Sequence, residues 1–133
     1  MTLEEKAIEA FKGRIWAMGI VLAEKTDMEN AEIQFYMGFC REHGYGIEKD
    51  YGEAVDWYKK AAEQGHAKAM RNLGKMYDDG VWAPRNIVEA VKWYAEAAVK
   101  GDKVAKTLLG KLAADADTAP FVSIYAKTAF DND

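Results

Sequence analysis

The chain has 133 residues, half of them hydrophobic, and a formal net charge of −4. This length and apolar content suffice for one domain with a buried core, whereas the mildly acidic balance provides no basic field for a phosphate backbone and argues against a nucleic acid partner. The single cysteine, Cys40, excludes an internal disulfide and favours a reducing compartment, so we expect a cytoplasmic protein.

The N-terminal segment, residues 1–27, is predicted to be a helical cap. Thr2 and Glu5 have the spacing of a capping box, and apolar residues recur at helical spacing from Leu3 to Leu22. The simplest interpretation is one helix of about 20 residues that could bend at Gly13. Its longest apolar run is too short to span a membrane, and its acidic start is unlike a signal peptide, so we expect neither membrane insertion nor secretion.

One unit of sequence occurs twice, in residues 31–66 and 67–102. The two segments align without a gap, and small and aromatic residues recur at matching positions far more often than shared composition would give. The matched pairs are Ala31/Ala67, Gly38/Gly74, Gly44/Gly80, Glu53/Glu89, Ala54/Ala90, Val55/Val91, Trp57/Trp93, Tyr58/Tyr94, Ala61/Ala97, Ala62/Ala98 and Gly65/Gly101. We therefore predict two tandem units, residues 28–66 and 67–102.

Each unit is predicted to form two helices, A and B, joined by a glycine-bearing turn. Apolar residues from Ala69 to Tyr77 make one stripe of helix A. Asp50 and Asn86 are suitable N-caps for the B helices, and Gly65 and Gly101 suit the left-handed position that ends them. Two helices cannot bury their apolar stripes alone, so neighbouring units should stack into a solenoid.

Residues 103–133 are predicted to form a truncated third unit that caps the C-terminal end. Its helix A repeats the core pattern. The repeat positions of Ala69, Leu73, Gly74 and Met76 are occupied there by Ala105, Leu109, Gly110 and Leu112. A shortened helix B is expected from about Pro120 to Phe130, with Ala126 and Phe130 answering Ala90 and Tyr94. Residues 131–133 should fray.

The repeated pattern resembles the Sel-one-like repeat (SLR), a relative of the tetratricopeptide repeat (TPR). The residues that carry the resemblance in the second unit are Ala67, Leu73, Gly74, Tyr77, Gly80, Asn86, Glu89–Val91, Trp93, Tyr94, Ala97, Ala98 and Gly101. The first turn has the family's glycines at Gly44 and Gly46, whereas the second has Trp82 in place of the second glycine and Pro84 before the cap. The resemblance implies an all-α, right-handed α/α superhelix of antiparallel helix pairs whose A helices line a concave face.

No stretch of the sequence has the form of a catalytic, cofactor or metal site. The nearest approach to a metal or nucleophile site is Cys40 with His43, which lacks a third ligand, so a buried thiol is expected. Asp78 and Asp79, with Glu42, are expected to be solvated at helix ends rather than to act as catalytic carboxylates. The repeat-matched tryptophans and tyrosines should pack, and Trp16 should pack within the cap, while Trp82 fits either a local plug or an exposed contact.

The candidate partner-binding residues lie on the A helices and the second turn. Phe35 and Phe39 would form an apolar ledge, and Arg71 with Lys75 a basic strip, which together suit a protein segment with an apolar anchor and a carboxylate. The alternative is that Phe35 and Phe39 pack on the N-terminal helix. The full set is Glu32, Phe35, Phe39, Glu42, His43, Lys68, Arg71, Lys75, Asp78, Asp79, Trp82 and Lys111, with Val104 and Thr107 on the same face of the third unit.

The resemblance implies a non-catalytic protein–protein interaction module that binds a protein or peptide on its concave face. A small adaptor and a stoichiometric inhibitor of the immunity type both fit. Two alternatives stay open at this point: a cell-envelope hydrolase of the penicillin-binding type, and a self-assembling structural oligomer. The first fits poorly, because exported relatives of that type carry a cysteine pair in each repeat, whereas Met76 and Leu112 occupy the positions that answer Cys40. We expect a monomer or a weak homo-oligomer.

Overall fold

The computed structural model describes residues 1–125, and all the regular secondary structure in this range is helical. The chain divides into two compact units, Met1–His66 and Ala67–Asp133. The helices of the first unit are α1 (Leu3–Lys12), α2 (Trp16–Ala23), α3 (Ala31–His43) and α4 (Tyr51–Glu63), and those of the second are α5 (Ala67–Asp79), α6 (Ile87–Val99), α7 (Lys103–Ala114) and α8 (Ala119–Tyr125). The predictions for Ala126, Phe130 and residues 131–133 lie outside the described residues.

The N-terminal segment forms two helices, so the prediction of one helix is wrong. The capping box of Thr2 and Glu5 is present, but α1 ends at Lys12 with Gly13 as its C-cap, and Arg14 adopts a left-handed φ of 63° before α2 begins. Gly19 of α2 packs on Phe11, since a Cβ at Gly19 would lie 2.6 Å from a ring carbon of Phe11. The predicted apolar spacing does not mark one buried side, because α2 buries Gly19, Ile20 and Ala23 and leaves Ile15 and Met18 exposed. Periodicity alone cannot reveal a reversal between two helices.

The repeated segment of the first unit has the predicted helix pair and caps. The side chain of Asn30 caps α3, Gly44 follows α3 in the left-handed conformation, and the side chain of Asp50 accepts from the amide of Glu53 at 3.0 Å to cap α4. A core cluster joins α3 of this pair to α1 and α2, and its buried residues are Ala7, Phe11, Ile20, Ala23, Ile33, Met37 and Cys40.

The second unit repeats these features and extends them. Asn86 caps α6 by accepting from the amide of Glu89 at 3.1 Å, and Gly101 follows α6 with a φ of 99°. Helices α7 and α8 supply the predicted third helix pair as far as residue 125. The core contains Ala90, Val91, Tyr94, Ala95, Leu109, Leu112 and Val122.

In both copies of the repeat, a glycine in helix A faces a tyrosine in the following helix B at the same repeat position. A Cβ at Gly38 would lie 2.7 Å from the ring of Tyr58, and a Cβ at Gly74 the same distance from the ring of Tyr94. Both tyrosines are buried, and their hydroxyls donate to equivalent acids, Tyr58 to Glu42 at 2.7 Å and Tyr94 to Asp78 at 3.2 Å. This pairing sets the close approach of the two helices in each repeat.

The two inter-helix turns close with the same hydrogen bond although their sequences differ. The amide of Asp50 donates to the carbonyl of Arg41 at 2.8 Å, and the amide of Asn86 donates to the carbonyl of Tyr77 at 2.9 Å. The second turn therefore keeps this closing hydrogen bond although it contains Trp82 and Pro84. The indole of Trp82 meets the ring of Tyr77 edge-on and is also 40% exposed, so it both packs locally and faces solvent.

Candidate functional site

A continuous set of aromatic rings lies along the first unit. Phe35, Phe39 and His43 are four residues apart on α3 and therefore share one helix face. Their ring centroids are 6.1 Å apart for Phe35–Phe39 and 4.5 Å apart for Phe39–His43. His66, just after α4, stacks on Phe35 at 4.9 Å.

Two further rings continue this set at the other end of α3. Tyr45, in the turn after α3, stacks on His43 at 5.3 Å and on Trp16 at 5.2 Å. Trp16, at the start of α2, also contacts Phe39 at 5.8 Å. We call these six rings the aromatic strip, comprising Trp16, Phe35, Phe39, His43, Tyr45 and His66.

The aromatic strip is open at one end and buried at the other. Tyr45 is 36% exposed and His43 is exposed, whereas Phe39 and Trp16 are half-buried. Phe35 is only 8% exposed, so the prediction that it forms part of an open ledge is wrong. The alternative of packing on the N-terminal segment holds for Phe39, which contacts Trp16, while Phe35 contacts Tyr58 of α4.

The two acidic residues predicted beside this strip, Glu32 and Glu42, form hydrogen bonds or ion pairs within the same unit. Glu42 accepts the hydroxyl of Tyr58, and its Oε1 lies 3.8 Å from Nε2 of His43. Glu32 forms an exposed ion pair with Lys12 at 3.8 Å. Glu42 therefore fixes α4 against α3 as well as bordering the exposed rings.

In the second unit, the position of the Phe35–His66 stack is taken by an ion pair. Arg71 and Asp102 are the repeat counterparts of Phe35 and His66, and Nε and Nη2 of Arg71 both donate to Oδ2 of Asp102 at 3.3 Å. Asp102 also caps α7 by accepting from the amide of Ala105 at 2.8 Å. The prediction of a free basic strip is therefore wrong for Arg71, whose charge is neutralised within the unit.

The other predicted residues of the second unit divide into paired and exposed groups. Asp78 accepts from Arg85 at 3.0 Å and from Tyr94, so it is not a free acid. The exposed side chains are those of Lys68, Lys75, Asp79, Trp82 and Lys111, together with Val104 and Thr107.

We expect Asp102→Ala to lower the free energy of unfolding by about 1–2 kcal/mol. The substitution removes the cap of α7 and leaves Arg71 without its partner, and only 7% of the Asp102 side chain is exposed. Asp102→Asn is the matched control, because an asparagine retains the cap and loses only the charge. Urea denaturation followed by circular dichroism measures both. An asparagine variant as unstable as the alanine variant would contradict the capping role.

Cys40 is a free cysteine with no exposed surface. Burial raises the pKa of its thiol to about 12, which disfavours the reactive thiolate. Residues 1–125 contain no group of three or more histidine, cysteine or acidic side chains that could hold a metal ion. In the same range, no helix combines the length and apolar character that a membrane span requires.

We expect Cys40 to react with iodoacetamide only when the protein unfolds. With the thiol pKa near 12, the thiolate fraction at mildly alkaline pH should be about a thousandfold lower than for an unperturbed thiol with a pKa of 9.0. Mass spectrometry after labelling in buffer and in denaturant measures this difference. Rapid labelling of the native protein would contradict the burial.

Three strip residues were not among the predicted partner-binding residues: Trp16, Tyr45 and His66. Of these, Tyr45 is the most exposed. The available signal was a difference between the repeats, since Phe35, Phe39, His43 and Tyr45 answer Arg71, Lys75, Asp79 and Val81. Several residues that pack in the core are the same in both copies, whereas the residues at these four positions differ in size or charge between the copies. The contrast marks them as a surface specific to the first unit.

Comparison with known proteins identifies relatives across most of the chain. A family model described as Sel1 repeat matches residues 31–66 and 67–102, the two copies found in the sequence. Protein sel-1 homolog 2 of Mus musculus is 39% identical over 78 residues, and the DAP3-binding cell death enhancer 1 of Rattus norvegicus is 39% identical over 84 residues. These alignments cover 57% and 63% of this chain but only 11% and 14% of the relatives, so the chain spans a small part of their length.

A solved structure shares the fold. The Sel1 repeat protein from Oxalobacter formigenes is 36% identical, with a TM-score of 0.79 over 84% of this chain and 45% of that protein. The expected all-α fold of helix pairs, of the α/α solenoid class, is confirmed by this likeness.

Proposed function

Because the chain belongs to the Sel1 repeat family, whose repeats are protein-interaction modules, we propose that it binds a protein or peptide through the aromatic strip of the first unit. The proposed role is non-catalytic. It is either that of a small adaptor or that of a stoichiometric inhibitor of the immunity type. The name of one relative, DAP3-binding cell death enhancer 1, describes binding to another protein and supports a role of this kind.

The observation that carries this proposal is the exposed end of the aromatic strip. Tyr45 and His43 stack on each other at the surface and rest on the half-buried rings of Phe39 and Trp16. Rings held in this way lose little side-chain entropy when a partner covers them, and aromatic residues are enriched among those that contribute most to binding. The core of the unit does not require the exposed rings, because the second unit has Asp79 and Val81 at the same positions.

The chemistry of the strip favours a partner segment with an apolar or aromatic anchor. Such a side chain would stack on Tyr45 and His43 and exclude water from Phe39. In the second unit, Arg71 is already paired with Asp102, whereas Lys68 and Lys75 are exposed on α5. We include a cytoplasmic location in this proposal, consistent with the free thiol of Cys40.

Site-specific crosslinking tests the proposal. A photoreactive phenylalanine analogue at Tyr45 should crosslink a cellular protein, whereas the same analogue at Val104, half-exposed in the second unit, should not capture that protein. With the captured protein purified, the double variant His43→Ala/Tyr45→Ala should bind at least about 30-fold more weakly. Val104→Ala is the control and should bind like the wild type. A captured partner whose affinity for the double variant is unchanged would remove the strip from the binding surface.

A further inference from the structure

An apolar cleft opens at the surface of the first unit between α1 and α2, and no residue of the aromatic strip lines it. Its aliphatic lining is Ala10 of α1 with Ile15, Met18 and Leu22, and its charged lining is Lys6 and Glu9 of α1. Its volume is about 350 Å³. Ile15, Met18 and Leu22 follow the spacing of one helix face, so the cleft presents an aliphatic stripe of the kind that packs against another helix.

The exposure of this stripe is imposed by the packing of α2. Gly19 lies against Phe11, and Ile20 and Ala23 are buried in the core, which fixes the rotation of the helix. Ile15, Met18 and Val21 are each 53% exposed as a result. Helix α2 contains no charged residue. An aliphatic surface of this kind favours contact with a second protein surface.

We propose that the α1–α2 cleft is a contact surface for a second copy of this chain, related by a two-fold axis. Lys6 and Glu9 lie about one turn apart on α1 and carry opposite charges. In a two-fold contact each surface meets itself, so Lys6 of each copy can pair with Glu9 of the other while the aliphatic stripes pack between them. A foreign surface of a single charge would leave one of these two residues opposed by a like charge, whereas a second copy satisfies both.

This proposal does not depend on the function assigned to the aromatic strip. Neither Tyr45 nor His43 lines the cleft, and the variants that test the cleft leave both residues unchanged. Loss of self-association and loss of partner binding are therefore separate results, measured on separate variants.

Sedimentation equilibrium of the purified chain tests the two-fold contact. The wild type should show a concentration-dependent mass that rises toward twice that of the chain. Met18→Glu should remain a monomer, and Val104→Glu, which places the same charge on a half-exposed valine of the second unit, should associate like the wild type. Circular dichroism verifies that each variant is folded.

Charge reversal keeps the test decisive even if Met18→Glu fails to fold. Lys6→Glu and Glu9→Lys should each weaken self-association at least about tenfold, because like charges then face each other twice in the two-fold contact. An equimolar mixture of the two variants should associate again, and so should the double variant Lys6→Glu/Glu9→Lys. A wild type that stays monomeric at its highest soluble concentration would overturn the proposal. So would single reversals without effect, or a mixture that fails to restore association.

Discussion

Replacing Tyr94 with alanine is expected to lower the free energy of unfolding by about 3–5 kcal/mol. The ring is 1% exposed and packs in the core that contains Val91, Leu109 and Val122. Its loss would leave a cavity that the backbone of Gly74 on one side cannot fill. Urea denaturation followed by circular dichroism gives the free energies of wild type and variant.

Tyr94→Phe is the matched control, because it retains the ring and removes only the hydroxyl. We expect a loss of about 1 kcal/mol, since Asp78 retains its ion pair with Arg85. An alanine variant no less stable than the phenylalanine variant would contradict the packing role of the ring.

The same pair of proteins should differ in alkaline solution. Burial, and then the negative charge of Asp78, raise the pKa of the Tyr94 hydroxyl above the ordinary tyrosine value of 10.0. The native state therefore holds this proton at pH values at which the unfolded chain releases it, so the stabilisation is complete below about pH 10 and declines as the pH rises above that value. The stability of the wild type should fall more steeply above this pH than that of Tyr94→Phe.

We expect Gly74→Ala to destabilise the protein by about 2–3 kcal/mol, opposite in sign to the usual effect in a helix. Alanine ordinarily favours a helix interior by about 1 kcal/mol over glycine. At Gly74, however, the new Cβ would lie 2.7 and 2.8 Å from two ring carbons of Tyr94 and 3.3 Å from the carbonyl oxygen of Ala90. The buried ring cannot move aside, so the two helices must separate. The midpoint of urea denaturation should fall accordingly.

Gly110→Ala is the control at the equivalent position of α7. Among residues 1–125, no heavy atom lies within 4 Å of the Cβ that this substitution would add, apart from the local backbone, so stability should rise slightly or stay unchanged. A double-mutant cycle provides a second test, since Gly74→Ala should lose most of its cost in the Tyr94→Ala background. Additive costs would show that the ring is not what excludes the methyl group.

The repeat and its caps could be predicted from the sequence because they depend on local interactions. Asp50 and Asn86 cap helices through amides three residues away, and the apolar spacing of α5 places Leu73 and Met76 on its buried side. The family resemblance depends on the same local pattern, and the fold class followed from it. Phe35 and Arg71 were misplaced because their partners, His66 and Asp102, are distant in the sequence.

The sequence by itself determined the two tandem helix pairs, because helix spacing, N-caps and left-handed glycines are specified within a few neighbouring residues. Only the tertiary structure decided which side chains remain available to a partner. It buried Phe35, paired Arg71 with Asp102, brought Trp16 and Tyr45 onto the same strip, and turned the N-terminal segment back at Arg14 so that Ile15 and Met18 face solvent. The physical reason is that a side chain is available to a partner only if no distant residue of its own chain buries it or pairs with it. A repeat pattern specifies only the contacts that all its copies share.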